Sequence, residues 1–269
     1  MNYFEVTKYN DYLYQLKDKL GVLVTLVIGE EKALLFDTAY GIGNLPKEIR
    51  AITDKPLIVV NSHGHMDHSC GNYQFEKVYI HPDDISLCKK HNSLPWRERN
   101  LANIKALNGL PEGFNEDAYL AQNEGNLAII EVGDTIDLGG LKGEVISMIG
   151  HTKGSIGILF RSQRLLLVGD ATCPFVWLFL EESEPVSVYT KMLEQVLELP
   201  FDNFLVGHGA RLFPKSKMVD FYQIAKNIDM NRAVPVSFGG FENANAYCYK
   251  LGKMYDQNDC GVVFDPNKR

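Results

Sequence analysis

Residues 61–68 read Asn61, Ser62, His63, Gly64, His65, Met66, Asp67, His68, and they follow directly on the apolar run Leu57, Ile58, Val59, Val60. Chance would put such an H-x-H-x-D-H string into roughly 3 of 10,000 chains of this composition, so any fold proposed for the chain has to accommodate it. His63 and His65, two residues apart, can face one side of an extended segment, while a turn after them brings Asp67 and His68 toward a second point. Imidazole nitrogens and carboxylate oxygens suit zinc, iron or manganese, and an ion that keeps a water takes about three protein ligands. One loop can therefore serve two cations, provided the rest of the chain supplies more ligands.

Three residues offer themselves. His151 precedes Thr152 and Gly154, Asp170 follows Gly169, and His208 lies between Gly207 and Gly209; each stands where an apolar run gives way to a glycine-bearing loop. Alone, His151 or His208 would read as a structural histidine, but beside the string both become candidate ligands. Ligands at strand ends from both halves of the chain converge on one edge of a sheet, where α/β folds place their sites. His81 and His91 lack such context and read as surface or capping residues. Asp37, before Thr38, suits a turn acid at a strand end.

The hydropathy pattern agrees with an α/β chain. Apolar, β-prone runs fall at 22–28 and 33–36 as a hairpin, then at 56–60 and 77–80, with a helix start at Pro82, Asp83 and Asp84. Residues 92–126 hold prolines and glycines around a weak helical stretch near 97–107, an insertion over the sheet. From 127 a second β-rich block runs through 128–131, 135–138, 143–148, 156–160 and 165–168. A 3.6-residue period over 186–197 predicts a helix, 204–206 a short strand and 217–230 another helix. Runs near 246–251 and 261–264 suggest a terminal hairpin.

Composition excludes several classes. The 269 residues are 45% hydrophobic and 23% charged, with 27 basic against 34 acidic residues and a net charge of -7, which argues against a nucleic-acid partner. Five scattered cysteines with no C-x-x-C pair argue against a disulfide framework and fit a reducing cytoplasm, with the thiols as small core residues. No basic-then-apolar leader and no unbroken apolar span is present, so neither secretion nor membrane insertion is expected.

The string, the later Gly-His-Thr-x-Gly, the Gly-Asp and the Gly-His-Gly occur in the order and approximate spacing of the metallo-β-lactamase superfamily, which residues 22 to 208 resemble. The resemblance implies an αββα sandwich with an internal pseudo-twofold, followed here by a helix-plus-hairpin extension from about 211, in a single domain. It also implies a dinuclear centre in which His63, His65 and His151 hold one ion, Asp67, His68 and His208 the other, and Asp170 bridges. The metals would be two divalent ions, zinc foremost, with iron or manganese also suited. Asp37 would support the metal loop from behind without being a ligand.

Departures narrow the activity. The best-known β-lactamases place cysteine where Asp170 stands, flavodiiron proteins place glutamate where His65 stands, and the basic tail of glyoxalase II is not recognisable after His208. The resemblance thus implies a glyoxalase II-like or lactonase-like hydrolase acting on a small ester, thioester or lactone, with Asp67 and Asp170 as catalytic residues. A mononuclear iron dioxygenase using His63, His151 and Asp170 is an open alternative; a phosphodiesterase or nuclease and a noncatalytic metal module are further ones. Phe175, Trp177 and Phe179 read equally as a pocket wall and as one buried strand face. Trp96, Arg97, Arg99 and the Phe238 to Phe241 segment are weaker pocket candidates, and on composition Arg97 and Arg99 are solvated helix residues.

Overall fold

The computed structural model describes residues 3–209, 211–239, 241, 243–251 and 259–268. The first sheet takes its strands in chain order: β1 (Glu5–Lys8), β2 (Leu13–Lys17), β3 (Leu23–Ile28), β4 (Ala33–Phe36), β5 (Leu57–Val60), β6 (Val78–Ile80) and β7 (Leu127–Ile129). Strands β1 to β4 run antiparallel and β4 to β7 parallel. The expected hairpin is β3 and β4. The expected second block, however, begins one strand later than the pattern suggests, because β7 closes the first sheet against β6.

The second sheet collects β8 (Thr135–Asp137), β9 (Lys142–Ser147), β10 (Ile156–Phe160) and β11 (Leu165–Gly169). Beyond β12 (Phe175–Leu178), it is completed by β13 (Asn203–Val206), parallel to β11, and the short β14 (Phe213–Pro214). Strands β10 and β11 are buried along their whole length and read as unbroken apolar runs, as strands covered on both faces do.

The layers follow from where those apolar faces go. Val27, Leu34, Phe36 and Val60 of the first sheet pack against Val145, Ile158, Phe160, Leu167 and Leu205 of the second, forming the core between the sheets. On the outer face of the first sheet, Leu45 and Ile49 of α1 (Leu45–Arg50) join Leu101, Ile104 and Tyr119 from the 92–126 segment. The outer face of the second sheet is covered by helices from the latter half of the chain. Tyr189, Leu193 and Val196 come from the helix Val186–Val196, and Met218 and Phe221 from Lys215–Lys226. Helix, sheet, sheet, helix is the expected αββα sandwich.

Four further helices complete the order: α2 (Met66–Ser69), α3 (Ile85–His91), α4 (Leu94–Ala106) and α5 (Glu116–Leu120), so that Val186–Val196 is α6 and Lys215–Lys226 is α7. Pro95, a breaker by sequence, sits in the first turn of α4, where its missing N–H costs nothing. Among the described residues no helix is long and apolar enough to cross a membrane.

The C-terminal runs form the expected antiparallel pair, β16 (Tyr247–Leu251) and β17 (Cys260–Phe264), but they do not stand alone. Strand β17 also pairs in parallel with β12, and β15 (Val234–Pro235) closes a third sheet of four strands. Residues 252–258 and Gly240 lie outside the described residues.

Arg97 corrects the composition-based expectation of a solvated side chain, for it is completely buried. Its Nε donates to Asn92 O, and its Nη2 donates to Cys70 O, Asn92 Oδ1 and Asn123 O at 2.7–3.1 Å, while the guanidinium stacks over Tyr119. Three carbonyls and an amide oxygen replace water, so one side chain fastens both ends of the insertion to the end of the metal-loop helix α2. Replacing Arg97 with Ala should leave these acceptors unpaired and lower the unfolding free energy by about 3 kcal/mol. Urea unfolding checks this, and a change below about 1 kcal/mol would contradict it.

Candidate metal centre

All the sequence-predicted ligands lie past the C-terminal ends of strands that run in one direction. His63, His65, Asp67 and His68 follow β5, His151 follows β9, Asp170 follows β11 and His208 follows β13. The sheets are joined directly at this edge: Ile156 N donates to Ser62 O at 2.9 Å and Leu23 N to Gly207 O at 2.8 Å. The β11 to β13 register slips between Leu167 and Gly169, and Gly169 takes φ 53°, a bulge that re-aims the chain at Asp170. At Gly207 a Cβ would collide with Asp170 Oδ1 and His68 Cε1, so only glycine lets β13 approach this closely.

The donors gather in two groups. His63, His65 and His151 form one; Asp67, His68, Asp170 and His208 form the other; within each group the candidate ligand atoms lie within 4.8 Å of one another. His63, His65, His68 and His151 are buried, and His208 is partly buried.

Hydrogen bonds on the far side of each ring decide which nitrogen faces inward. Asp37 Oδ1 accepts from Ser62 N at 2.7 Å, and Asp37 Oδ2 accepts from Ser62 Oγ and from His68 Nδ1, each at 2.8 Å. Because the Ser62 hydroxyl proton goes to Asp37, its oxygen accepts from His63 Nδ1 at 2.9 Å. His65 Nε2 donates to Glu182 Oε1 and His151 Nδ1 to Trp177 O, both at 2.7 Å. The inward nitrogens are therefore lone pairs: His63 Nε2 and His151 Nε2 each lie 2.9 Å from His65 Nδ1. Three lone pairs at that separation repel unless a cation lies between them, and this donor set fits a metal ion.

Charge separates the two groups. Burial and the neighbouring histidines hold His63 well below its usual range, and burial followed by His65 brings His151 down to about 4, so both are neutral at neutral pH. Burial works against ionising Asp67 and Asp170, yet His68 and His208 keep both well below the usual carboxylate range. Two buried atoms of the second group, His68 Nε2 and Asp170 Oδ1, have no hydrogen-bond partner. With no cation bound, burial is outweighed by Asp170 and Asp67, each 3.4 Å from His68 Nε2, which hold the His68 pKa well above its usual range. Neutral, with the Asp37 bond on Nδ1, His68 would turn a lone pair toward the two carboxylates, a donor set that fits a cation.

A second constraint sits between the ligand loops. Asp84, 1% exposed, accepts from Gly64 N, Gly154 N and Thr152 Oγ1 at 2.7–2.8 Å. It thereby sets the spacing of the His63–His65 segment from His151. Pro82, Asp83 and Asp84 form the expected helix start ahead of α3, and the carboxylate of Asp84 in addition clamps two loops.

A cavity of about 530 Å³ opens over both groups. Phe175 and Trp177 line it, with Phe241 and Arg99 from the weaker candidates. Phe179 stands behind, its ring 5.1 Å from Trp177, and Phe238 packs 4.6 Å from Trp177. Two of the three alternating aromatics, Phe175 and Trp177, thus face the cavity from β12, while Phe179 lies just past the end of that strand and does not line it. Trp96 reaches the site through His91, 4.1 Å away. His81 accepts from Asp83 N and caps a short helical turn, as expected.

His91 corrects its reading as a surface residue: it is 4% exposed, lines the cavity and stacks on the His65 ring at 5.2 Å. Cys173 packs against the core of the second sheet and also lines the cavity, whereas the other four cysteines are buried. Sequence reasoning missed Tyr40, Met66, Leu180 and Glu182 as cavity residues. Burial, then Asp67 and Asp18, hold the Tyr40 phenol well above its ordinary range.

Comparison with known proteins identifies the family. A family model described as the metallo-beta-lactamase superfamily matches residues 18–208. The acyl-coenzyme A thioesterase MBLAC2 of Bos taurus is 27% identical over 191 residues, which is 65% of this chain and 67% of that protein. Among solved structures, a metallo-beta-lactamase superfamily protein from Sulfolobus tokodaii superposes with a TM-score of 0.54 at 17% identity, covering 81% of this chain and 84% of the other. The sec-alkylsulfatase Pisa1 from Pseudomonas sp. gives 0.63 at 16% identity over 83% of this chain, which spans only 41% of the sulfatase. These two structures speak to the fold.

Glu182 is the carboxylate that fixes the His65 tautomer, and carboxylates in that relation to a ligand typically alter metal affinity 10- to 100-fold. Glu182→Ala should weaken metal retention by about that factor in a chelator competition, with the fold intact by circular dichroism. Unchanged retention would separate Glu182 from the metal centre.

Proposed function

Because the chain belongs to the metallo-beta-lactamase superfamily and is a hydrolase of that fold, we propose that it hydrolyses acyl thioesters at a dinuclear metal centre, with esters and lactones as the same chemistry. The observation that carries this reading is the cavity of about 530 Å³, which joins the two ligand groups to an apolar wall of Phe175, Trp177, Leu180 and Phe241. A volume of that size takes a small organic group. An acyl chain against the wall would bring its carbonyl over the ligands. The MBLAC2 relatives, named as acyl-coenzyme A thioesterases, favour the thioester within this class.

His63, His65 and His151 would hold one ion, and Asp67, His68 and His208 the other, with Asp170 between them. The division of the donors supports two ions over the single iron of a dioxygenase, because Asp170 groups with Asp67, His68 and His208 instead of joining His63 and His151. Zinc suits nitrogen and carboxylate donors best, and iron or manganese also suit them. Divalent ions bound there would lower the pKa of a water from 15.7 toward about 7 and polarise the acyl carbonyl.

The protein's part is positioning. Asp37, directly on His68 and through Ser62 on His63, fixes the rings whose lone pairs face the site. Asp67, 3.2 Å from His208 and kept ionised, would orient the attacking water. The aromatic wall keeps bulk water off the acyl side. The net charge of -7 favours a small-molecule substrate over a polyanionic one.

Metal analysis of the purified protein, paired with turnover of acyl thioesters, esters, lactones and phosphodiesters, tests the proposal. Two ions per chain with thioester turnover are expected; one iron with oxygen consumption, or phosphodiesters alone, would overturn it. Asp170→Ala should cut hydrolysis at least ~100-fold while the fold survives, since a carboxylate shared by two ions would position both of them and the nucleophile. Full turnover with two ions retained would refute the bridging role.

A further inference from the structure

The segment from Asp37 to Gly41 is held in a conformation that its packing alone does not require. Asp37 and Ala39 are not glycines, yet they take φ 74° and 57°, and Gly41 takes 75°. Three left-handed residues in five are unusual for L-amino acids, and such strain collects where a site demands it. Asp37 has its reason in Ser62 and His68. Ala39 has no side-chain contact of that kind; what its conformation does is turn the next residue.

The segment is bonded along its length to the metal loop. Thr38 N donates to His68 O at 2.9 Å, Gly71 N donates to Ala39 O at 3.0 Å, and Tyr73 Oη donates to Gly41 O at 2.7 Å. Asp37, Thr38 and Ala39 are buried, at 1%, 0% and 1% exposure. Tyr40 alone of the four residues from Asp37 to Tyr40 reaches the cavity, which the donors Asp67, Asp170, His151 and His208 also line. Its hydroxyl makes no hydrogen bond to any described residue. A phenol is a donor at neutral pH, and here it is a rigidly mounted one with its bond unused.

We propose that Tyr40 is a catalytic residue of acyl hydrolysis, donating a hydrogen bond from Oη to the acyl oxygen as it becomes an oxyanion. This rests on the acyl-hydrolase reading. When the hydroxide derived from water adds to the carbonyl carbon, a C–O bond forms and the carbonyl π pair moves onto oxygen. Tyr40 stabilises that oxygen. Collapse restores the carbonyl and breaks the C–S bond, and the thiolate leaves to take up a proton from solvent, giving carboxylate and thiol. The bond is stronger to the oxyanion than to the carbonyl, so it acts on the transition state and not on substrate binding.

Tyr40→Phe tests this, because it keeps the ring that packs against the core and removes only the oxygen. Expected are a kcat lower by about 100-fold, a KM within about threefold, and unchanged metal content and melting temperature. Titration with an alkylboronic acid, which becomes tetrahedral when it takes up hydroxide, gives a readout that does not depend on turnover. Its affinity should fall at least tenfold in the variant, while that of a thioether analogue stays the same. Equal kcat or equal boronate affinity in the two proteins would overturn the role of Tyr40 alone. A wild-type protein that neither turns over a thioester nor binds the boronate would overturn the acyl-hydrolase reading and the inference with it.

Discussion

Asp37 is the residue on which the geometry of the centre depends. It is a single buried carboxylate with three hydrogen bonds, and each bond ends on the loop that follows β5. Through Ser62 it sets the proton of His63, and directly it sets that of His68, so one residue of β4's end decides that a ring in each ligand group presents a lone pair. Buried charge is costly unless it is paired or fully bonded. Here that cost is met by the same bonds that orient the ligands, so the stability of the loop and the readiness of the site are one arrangement.

How much of this was legible in the sequence depended on whether a residue's role was local. The H-x-H-x-D-H string, the strand runs and the ligand-bearing loops carry their meaning within a few residues, and both sheets and the seven clustered donors appear where those patterns put them. Arg97 and His91 do not. In Arg97-Glu98-Arg99 and Lys89-Lys90-His91 they look like solvated helix positions, and only the fold of the insertion onto α2 buries them. Glu182 sits in an acidic run that reads as surface, yet it reaches His65, 117 positions earlier in the chain. Strand β7 was placed with the wrong sheet because alternation gives a strand its faces without naming its partner.

The wall and the metal loops come from different parts of the chain. The ligands lie within residues 18–208, the part shared with the superfamily, whereas Phe241 and the strands that back Trp177 come from beyond it. The helical insertion contributes Arg99 and Asn103 to the same cavity, joined by His91 just before it. The shared sandwich supplies the chemistry, and two local elaborations shape what can reach it.

The pairing of β12 with β17 has a consequence for how the protein is made. Phe175 lies opposite Gly261, a parallel contact across more than eighty residues, and contacts of such separation are the slow ones to form. Strand β12 also carries the Trp177 carbonyl that fixes the His151 proton. During synthesis the ligand-bearing loops can assemble while β12 still lacks its neighbour, so His151 gains its final orientation only when the last strand docks. Until β17 has been made, the nascent chain would carry a half-tuned centre with an exposed aromatic edge, so a strand that holds none of the seven donors helps to finish the site.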